Sequence, residues 1–307
     1  MSASIALPAG VQVFERGWLS ANNILFTGDG PSALIDSGYC THAPQTLDLV
    51  ARALQGRGLD LLLNTHLHSD HCGGNAALQG AHPSVQTLIP PGHFSQVQAW
   101  DAVALTYIPT GQLCPRFRAD GVLSPGTMLR LGVQDWQVHA APGHDPHSIV
   151  LFEPASRVLI SADALWENGF GVVFPELEGQ RAFDEVGLTL DLIESLAPAV
   201  VIPGHGSVFT RIDEALAAAR KRLEGFIAAP AKHARHAAKV LLKFKLLELQ
   251  AFSGPALHEW AARTTYLETV RRRWEPDLAP SAWLEGLADD LVRAGAARRE
   301  GADLINA

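Results

Sequence analysis

Apolar residues near the start of this chain come in short runs rich in Val, Ile, Leu and Phe. The runs lie at Val11 to Glu15, Asn22 to Phe26 and Ser32 to Asp36, parted by turn residues such as Thr27-Gly28-Asp29-Gly30, and they predict a meander of three strands. The period then changes. Leu47, Val50, Ala51 and Leu54 stand at helical spacing within Pro44 to Gln55, and the compact run Leu59 to Asn64 reads as a strand ending at Thr65-His66. Next come an expected helix around Gly92 to Ala102 and an irregular stretch from Tyr107 to Asp120. Strands follow at Met128 to Leu131, Trp136 to Ala140, Ile149 to Glu153 and Arg157 to Ser161, then a helix at Phe183 to Leu196 and a strand at Ala199 to Ile202. Strands alternating with helices, without a repeat of fixed period, predict a layered α/β domain.

From Glu214 onward the spacing is helical, with segments near Glu214 to Ile227, Ala231 to Gln250, Ala256 to Trp274 and Ser281 to Ala294, before Gly295 to Ile305 reads as a short wing hairpin. The expected organisation is therefore a domain over 1–210 and a mainly helical, winged-helix-like domain over 211–307. Charge supports a boundary there. Before Arg211 the chain has 8 basic and 19 acidic residues, from Arg211 onward 16 and 13, so −11 is followed by +3, and all five lysines lie in the later part. An acidic first domain disfavours a nucleic-acid substrate, although two divalent cations would cancel about four of its charges at a site.

Composition adds two expectations. Met1 to Gly10 carries neither a positive n-region nor a long apolar h-region, and no uninterrupted apolar run of about 18 residues occurs, which predicts a cytoplasmic protein without a membrane span. Cys40, Cys72 and Cys114 are too few and too scattered for a disulfide framework or a Cys-x-x-Cys metal site.

The chemistry is concentrated in Thr65-His66-Leu67-His68-Ser69-Asp70-His71, with four ligand-type side chains within six residues. His66 and His68, two apart in an extended loop, point the same way and suit one ion, while Asp70 and His71 face a second. Two later segments, Ala141-Pro142-Gly143-His144-Asp145-Pro146-His147-Ser148 and Val201-Ile202-Pro203-Gly204-His205-Gly206, each present a histidine after Pro-Gly at the end of an apolar strand, and Asp163 follows the strand Val158 to Ser161.

In order and spacing these motifs resemble the signature of the metallo-β-lactamase superfamily, over roughly Gly10 to Phe209. The resemblance implies a four-layer αβ/βα sandwich with a mainly helical C-terminal segment. Carried over by position, it assigns His66, His68 and His144 to a first metal ion, Asp70, His71 and His205 to a second, and Asp163 to a bridge between them. It also places Asp36, in Leu34-Ile35-Asp36-Ser37-Gly38, behind a ligand histidine. Imidazole and carboxylate ligands without a thiolate suit two Zn²⁺ ions, and also Fe²⁺ or Mn²⁺. Two such ions about 3.5–4 Å apart hold a water whose pKa drops to about 7. The expected reaction is attack of a metal-bridging hydroxide on an ester, thioester or lactone carbonyl, with Asp70 as the catalytic group that orients it and carries its proton.

True β-lactamases resemble the pattern less well, because they use Cys or His where Asp163 stands, and flavodiiron relatives need a flavin domain for which 214–307 is too short and too helical. The alternatives are a phosphodiesterase or ribonuclease of the same fold, and a binding or regulatory protein with vestigial hydrolase activity. A glyoxalase II-like or lactonase-like enzyme acting on a small molecule is the main expectation, and a homodimer is compatible with it. His147, Tyr107, Trp166 and Phe170 are the candidate substrate contacts. Lys232, Lys239, Lys243 and Lys245, on a helix whose apolar side is Ala238, Leu241, Leu242, Leu246 and Leu249, are expected to form a positive face that steers an anionic substrate.

Overall fold

The computed structural model describes residues 5–307, which fall into two compact units, 5–101 with 114–224 and 102–113 with 225–307. In the first unit six strands form a sheet in sequential order: β1 (Val11–Phe14), β2 (Asn23–Phe26), β3 (Ala33–Ile35), β4 (Leu61–Leu63), β5 (Gln86–Ile89) and β6 (Gly121–Val122). The opening meander is antiparallel, and β3 to β6 run parallel. A five-stranded sheet is built from β7 (Met128–Leu131), β8 (Gln134–Ala140), β9 (Ile149–Glu153), β10 (Val158–Ala162) and β11 (Val200–Pro203), with β10 and β11 parallel. The helices of this part are α1 (Ala43–Leu54), α2 (Ser69–Cys72), α3 (Asn75–Ala81) and α4 (Phe94–Ala99). Past α5 (Tyr107–Thr110), which belongs to the second unit, come α6 (Phe174–Leu177), α7 (Ala182–Leu196) and α8 (Ile212–Ala228).

The two-residue period of the strands makes the layers. Ile24, Phe26, Ile35 and Leu63 face the opposing sheet, where they join Trp136, Val138, Ile149, Leu151, Ile160 and Ile202 in one buried core. The residues between them, Leu25, Leu34 and Leu62, point the other way and pack with Val50 and Leu54 of α1 and Leu78 of α3. α7 buries Phe183, Val186, Leu190 and Ile193, and its Thr189 hydroxyl donates to Pro142 O just beyond β8. This is the αβ/βα sandwich.

The second unit is mainly helical. α9 (Pro230–Leu249) leads to β12 (Ala251–Phe252), α10 (Gly254–Arg263), α11 (Thr265–Trp274) and α12 (Pro280–Arg293), followed by the hairpin β13 (Ala297–Glu300) and β14 (Asp303–Asn306), with β14 central in a three-stranded sheet. The single helix expected over Ala256 to Trp274 is two, because Thr264 leaves the helical region at φ −85° and ψ 84°. The helix expected to Ala102 stops at Ala99, where Trp100 turns left-handed at φ 56°. Among the described residues no helix is long and apolar enough to cross a membrane.

Two expectations for α9 need correction. Leu249 is half exposed, and Lys243 and Lys245 do not belong to a free positive face. Lys243 Nζ donates to Ala296 O and Asn306 Oδ1, and Lys245, buried, is paired with buried Glu248 at 2.5 Å. Cations on a helix packed from several sides are drawn to the nearest carbonyls and carboxylates.

Candidate metal centre

Each of the seven expected metal ligands lies shortly past the end of a strand. β4 releases His66 to His71, β8 and β9 flank His144, β10 ends before Asp163 and β11 before His205. Parallel pairing sets them side by side. The β3 and β4 register of Ile35 with Leu63 brings Asp36 to Thr65, and that of Ala162 with Pro203 brings Asp163 to Gly204. A register shift between Ile160 and Ala162 and a left-handed Ala162 (φ 46°) turn Asp163 inward, and Asp36 is also left-handed at φ 56°. The two sheet edges are tied together, with Ile149 N donating to Thr65 O and the Asn22 amide to Pro203 O and Gly206 O, while the bond from Ala21 N to Asp70 O joins two loops of the six-stranded sheet.

The seven residues form two groups, in each of which the ligand atoms lie within 4.8 Å of one another: His66, His68 and His144, and Asp70, His71, Asp163 and His205. In the first, His68 Nδ1 is 3.1 Å from His66 Nε2 and 2.8 Å from His144 Nε2. In the second, Asp70 Oδ2 is 3.1 Å from His205 Nε2. Asp163 touches both, with Oδ2 3.3 Å from His144 Nε2 and Oδ1 3.5 Å from His71 Nε2.

Partners behind the rings fix which nitrogen faces inward. Asp36 Oδ2 takes His71 Nδ1–H at 2.7 Å, while Asp36 also accepts from the Thr65 amide and hydroxyl. Val172 O takes His144 Nδ1–H at 2.5 Å. His71 Nε2 is left buried, aimed into the second group and without a hydrogen bond. A buried imidazole nitrogen with no partner, amid two carboxylates and another imidazole, fits a divalent cation, which would supply the missing bond.

The charges are arranged for the same purpose. Burial, then the neighbouring His71, His68 and His144 rings, hold His66 well below the usual histidine range. Burial and His144 push His68 down to about 4. At His71 burial also acts downward but is outweighed by Asp163, Asp36 and Asp70, so its pKa lies well above the usual value. Asp163 shows the converse: burial would raise it, yet His71 and His205 hold it well below the carboxylate range.

The substrate candidates separate. Trp166 is at the site, its Nε1–H donating to Asp163 Oδ1 at 3.2 Å. His147 packs on the segment before α4, its ring 4.5 Å from that of His93. Phe170 is a correction: 1% exposed and beneath the Arg222 guanidinium, it fills the core and offers no face to a ligand. Tyr107 is a second, being 2% exposed in α5 of the other unit. Three residues were missed. Phe174 stands edge-on to His68 and His144, Trp18 stacks on His205, and buried Asp145 lies 3.9 Å from His68 Nε2. Asp145 had a signal, as the acid following His144 of the Pro-Gly-His motif; Trp18 and Phe174 reach the site only through the fold.

Residues 16–205 match the family model described as the metallo-beta-lactamase superfamily. The chain belongs to this superfamily. It is a metal-dependent hydrolase. Human acyl-coenzyme A thioesterase MBLAC2 is 27% identical over 210 residues, 62% of this chain and 74% of that one. A hydroxyacylglutathione hydrolase of Anaeromyxobacter dehalogenans (strain 2CP-C) is 31% identical over 161 residues, 52% of each, so this chain spans about half that relative. A metallo-beta-lactamase family protein from Thermus thermophilus shares the fold at TM-score 0.56 and 20% identity, over 98% of this chain and all of that one.

Proposed function

We propose that this member of the superfamily is a dinuclear hydrolase of thioesters, with a catalytic domain over 1–210 and a winged-helix-like segment over 211–307. The carrying observation is Asp163, whose two oxygens face two separate ligand groups, as a carboxylate shared between two ions must. His66, His68 and His144 would hold one ion and Asp70, His71 and His205 the other, with zinc preferred for an imidazole-rich site lacking thiolates. When bound, such a pair supplies an activated water and a Lewis acid for the carbonyl.

The protein's own part is orientation and proton movement. Asp36 and Val172 O lock the His71 and His144 rings. Asp70, its Oδ2 steadied by His205, is 14% exposed where Asp163 is 7% and His71 fully buried, so it is the carboxylate placed to take a proton from the attacking water and pass it to the leaving thiolate. The thioester preference rests on the relatives: acyl-coenzyme A and hydroxyacylglutathione are both thioesters. A small-molecule substrate and a cytoplasmic setting, which suits three free thiols, belong to the same reading.

Metal analysis with a panel of acyl-thioesters, lactones, esters and phosphodiesters tests it. Two equivalents of metal and hydrolysis fastest on thioesters are expected. Fewer than one equivalent after reconstitution, or a phosphodiester as the best substrate, would overturn it.

A further inference from the structure

His205 differs from the other histidines of the centre. His71 is backed by Asp36, His144 by Val172 O and His66 Nδ1 by the Thr65 hydroxyl at 3.2 Å, and His68 Nε2 faces Asp145. His205 Nδ1 is buried with no hydrogen-bond partner. A ligand histidine ordinarily donates its outer N–H to an oxygen that fixes the ring, so something else must orient this one.

Two indoles are in position to do so. Trp18, in the loop between β1 and β2, lies parallel to the His205 ring, 5.3 Å between centroids and 11° between planes. Trp166 meets His205 edge-on at 5.5 Å and 78°, and Trp18 edge-on at 5.3 Å and 69°. The imidazole is thus held face and edge in an aromatic corner, the offset and edge-to-face arrangements that such rings favour. Trp166 is itself anchored, its N–H to Gly169 O at 2.7 Å closing a tight turn and its Nε1–H on Asp163 Oδ1, the oxygen that faces the second ligand group. One side chain therefore touches two members of that group.

We propose that Trp18 and Trp166 are positioning residues for the Asp70, His71, Asp163 and His205 group: their rings replace the missing hydrogen bond to His205, and the Trp166 N–H fixes the rotation of Asp163. Together they set the affinity of that group, and not of the three-histidine group, for its ion. The inference rests on the dinuclear reading above.

The test titrates the metal-free full chain with Zn²⁺ by calorimetry, and with Co²⁺ followed by visible absorption, whose bands report ligand geometry. His205→Ala identifies the step that belongs to the second group. Trp18→Ala and Trp166→Phe are expected to weaken that step by about 10- to 100-fold while the other changes by less than about twofold, and Trp18→Phe, which keeps a ring on His205, restores most of the loss. The Co²⁺ bands of the affected step alone should shift. Parent-like affinity at both steps in Trp18→Ala and Trp166→Phe would overturn the positioning role while leaving two metal sites intact. Equal weakening of both steps with a lower Tm would reduce the indoles to packing and overturn it too. A parent chain that takes up a single equivalent would defeat both this inference and the dinuclear reading.

Discussion

Gly171 and Gly204 sit where a single methyl group would strike the centre. A Cβ on Gly171 would lie 2.4 Å from His144 Nδ1, in the space of its bond to Val172 O, and one on Gly204 would lie 2.2 Å from Asp163 Oδ1. Gly171→Ala should therefore cost about 10-fold or more in metal affinity through loss of His144 orientation. Gly80→Ala, where a Cβ within α3 meets nothing within 4 Å, should leave metal binding unchanged and stabilise the fold by up to about 1 kcal/mol. Metal titration and thermal melts of the two variants decide; normal binding by Gly171→Ala would refute the argument. Charge gives a second handle on single residues. In the metal-free chain burial favours neutral His71, but Asp163, Asp36 and Asp70 prevail and keep it protonated above the ordinary histidine pKa. A ligand imidazole must be neutral, so loading near pH 7 expels that proton, and affinity should rise with pH through the neutral range. Calorimetry in buffers of different ionisation heat would show the release, and identical heats in all of them would contradict it. That seven His and Asp side chains would gather in two groups, with Asp36 behind one of them, was legible from spacing and resemblance because their motifs repeat residue types in a fixed order at strand ends. Trp18 and Phe174 were not, since an aromatic ring has the same appearance in a sequence whether it fills a core or walls a site.

Strands and long helices were legible where one period persists. β1 to β4, β7 to β11 and α1, α7, α9 and α12 all fall within or beside the segments their patterns indicate. Short elements were missed for want of a period. α2 is a single turn, and β5, Gln-Thr-Leu-Ile, alternates over too few residues to stand out. Thr264, which parts α10 from α11, brings neither Gly nor Pro to announce the break, so the apolar spacing runs on across it. The elements also divide labour, because the core lies between the sheets and the site beyond their ends. Leu151 of β9 is fully buried in that core, and Leu151→Ala should cost about 2–5 kcal/mol, read from denaturant unfolding. The folded fraction should keep the parent's metal content per chain. Loss of metal in proportion far beyond loss of fold would show that core and site are not separable in this way.

Across the whole molecule, the sequence shows the charge asymmetry but not where each charge goes. The later part of the chain carries every lysine, and a helix bearing Lys232, Lys239, Lys243 and Lys245 suggests a steering surface. In the fold Lys232 is exposed, but the other three ammonium groups have local work. Burial lowers the Lys243 pKa, and its Nζ donates to Ala296 O at 2.5 Å and to Asn306 Oδ1 at 2.6 Å, tying α9 to the C-terminal hairpin. Lys239 lies 3.9 Å from Asp290, and Lys245 and Glu248 form a pair with each side chain less than a tenth exposed. Carboxylates offset the Lys239 and Lys245 charges, carbonyl and amide oxygens hold Lys243 in place, and salt screens any field beyond about a Debye length of 8–10 Å, so these three residues contribute to the stability of α9 more than to the approach of an anion. Lys245→Ala, by removing the ammonium 2.5 Å from the Glu248 carboxylate, should destabilise by up to about 3–5 kcal/mol, whereas the apolar pair Lys245→Met with Glu248→Leu should recover most of the loss. Lys243→Ala should lower Tm, while the ratio of KM for an anionic thioester to KM for a neutral one stays within about twofold of the parent at low salt. A rise in KM confined to the anionic substrate, abolished by salt and accompanied by an unchanged Tm, would return the steering role to this helix.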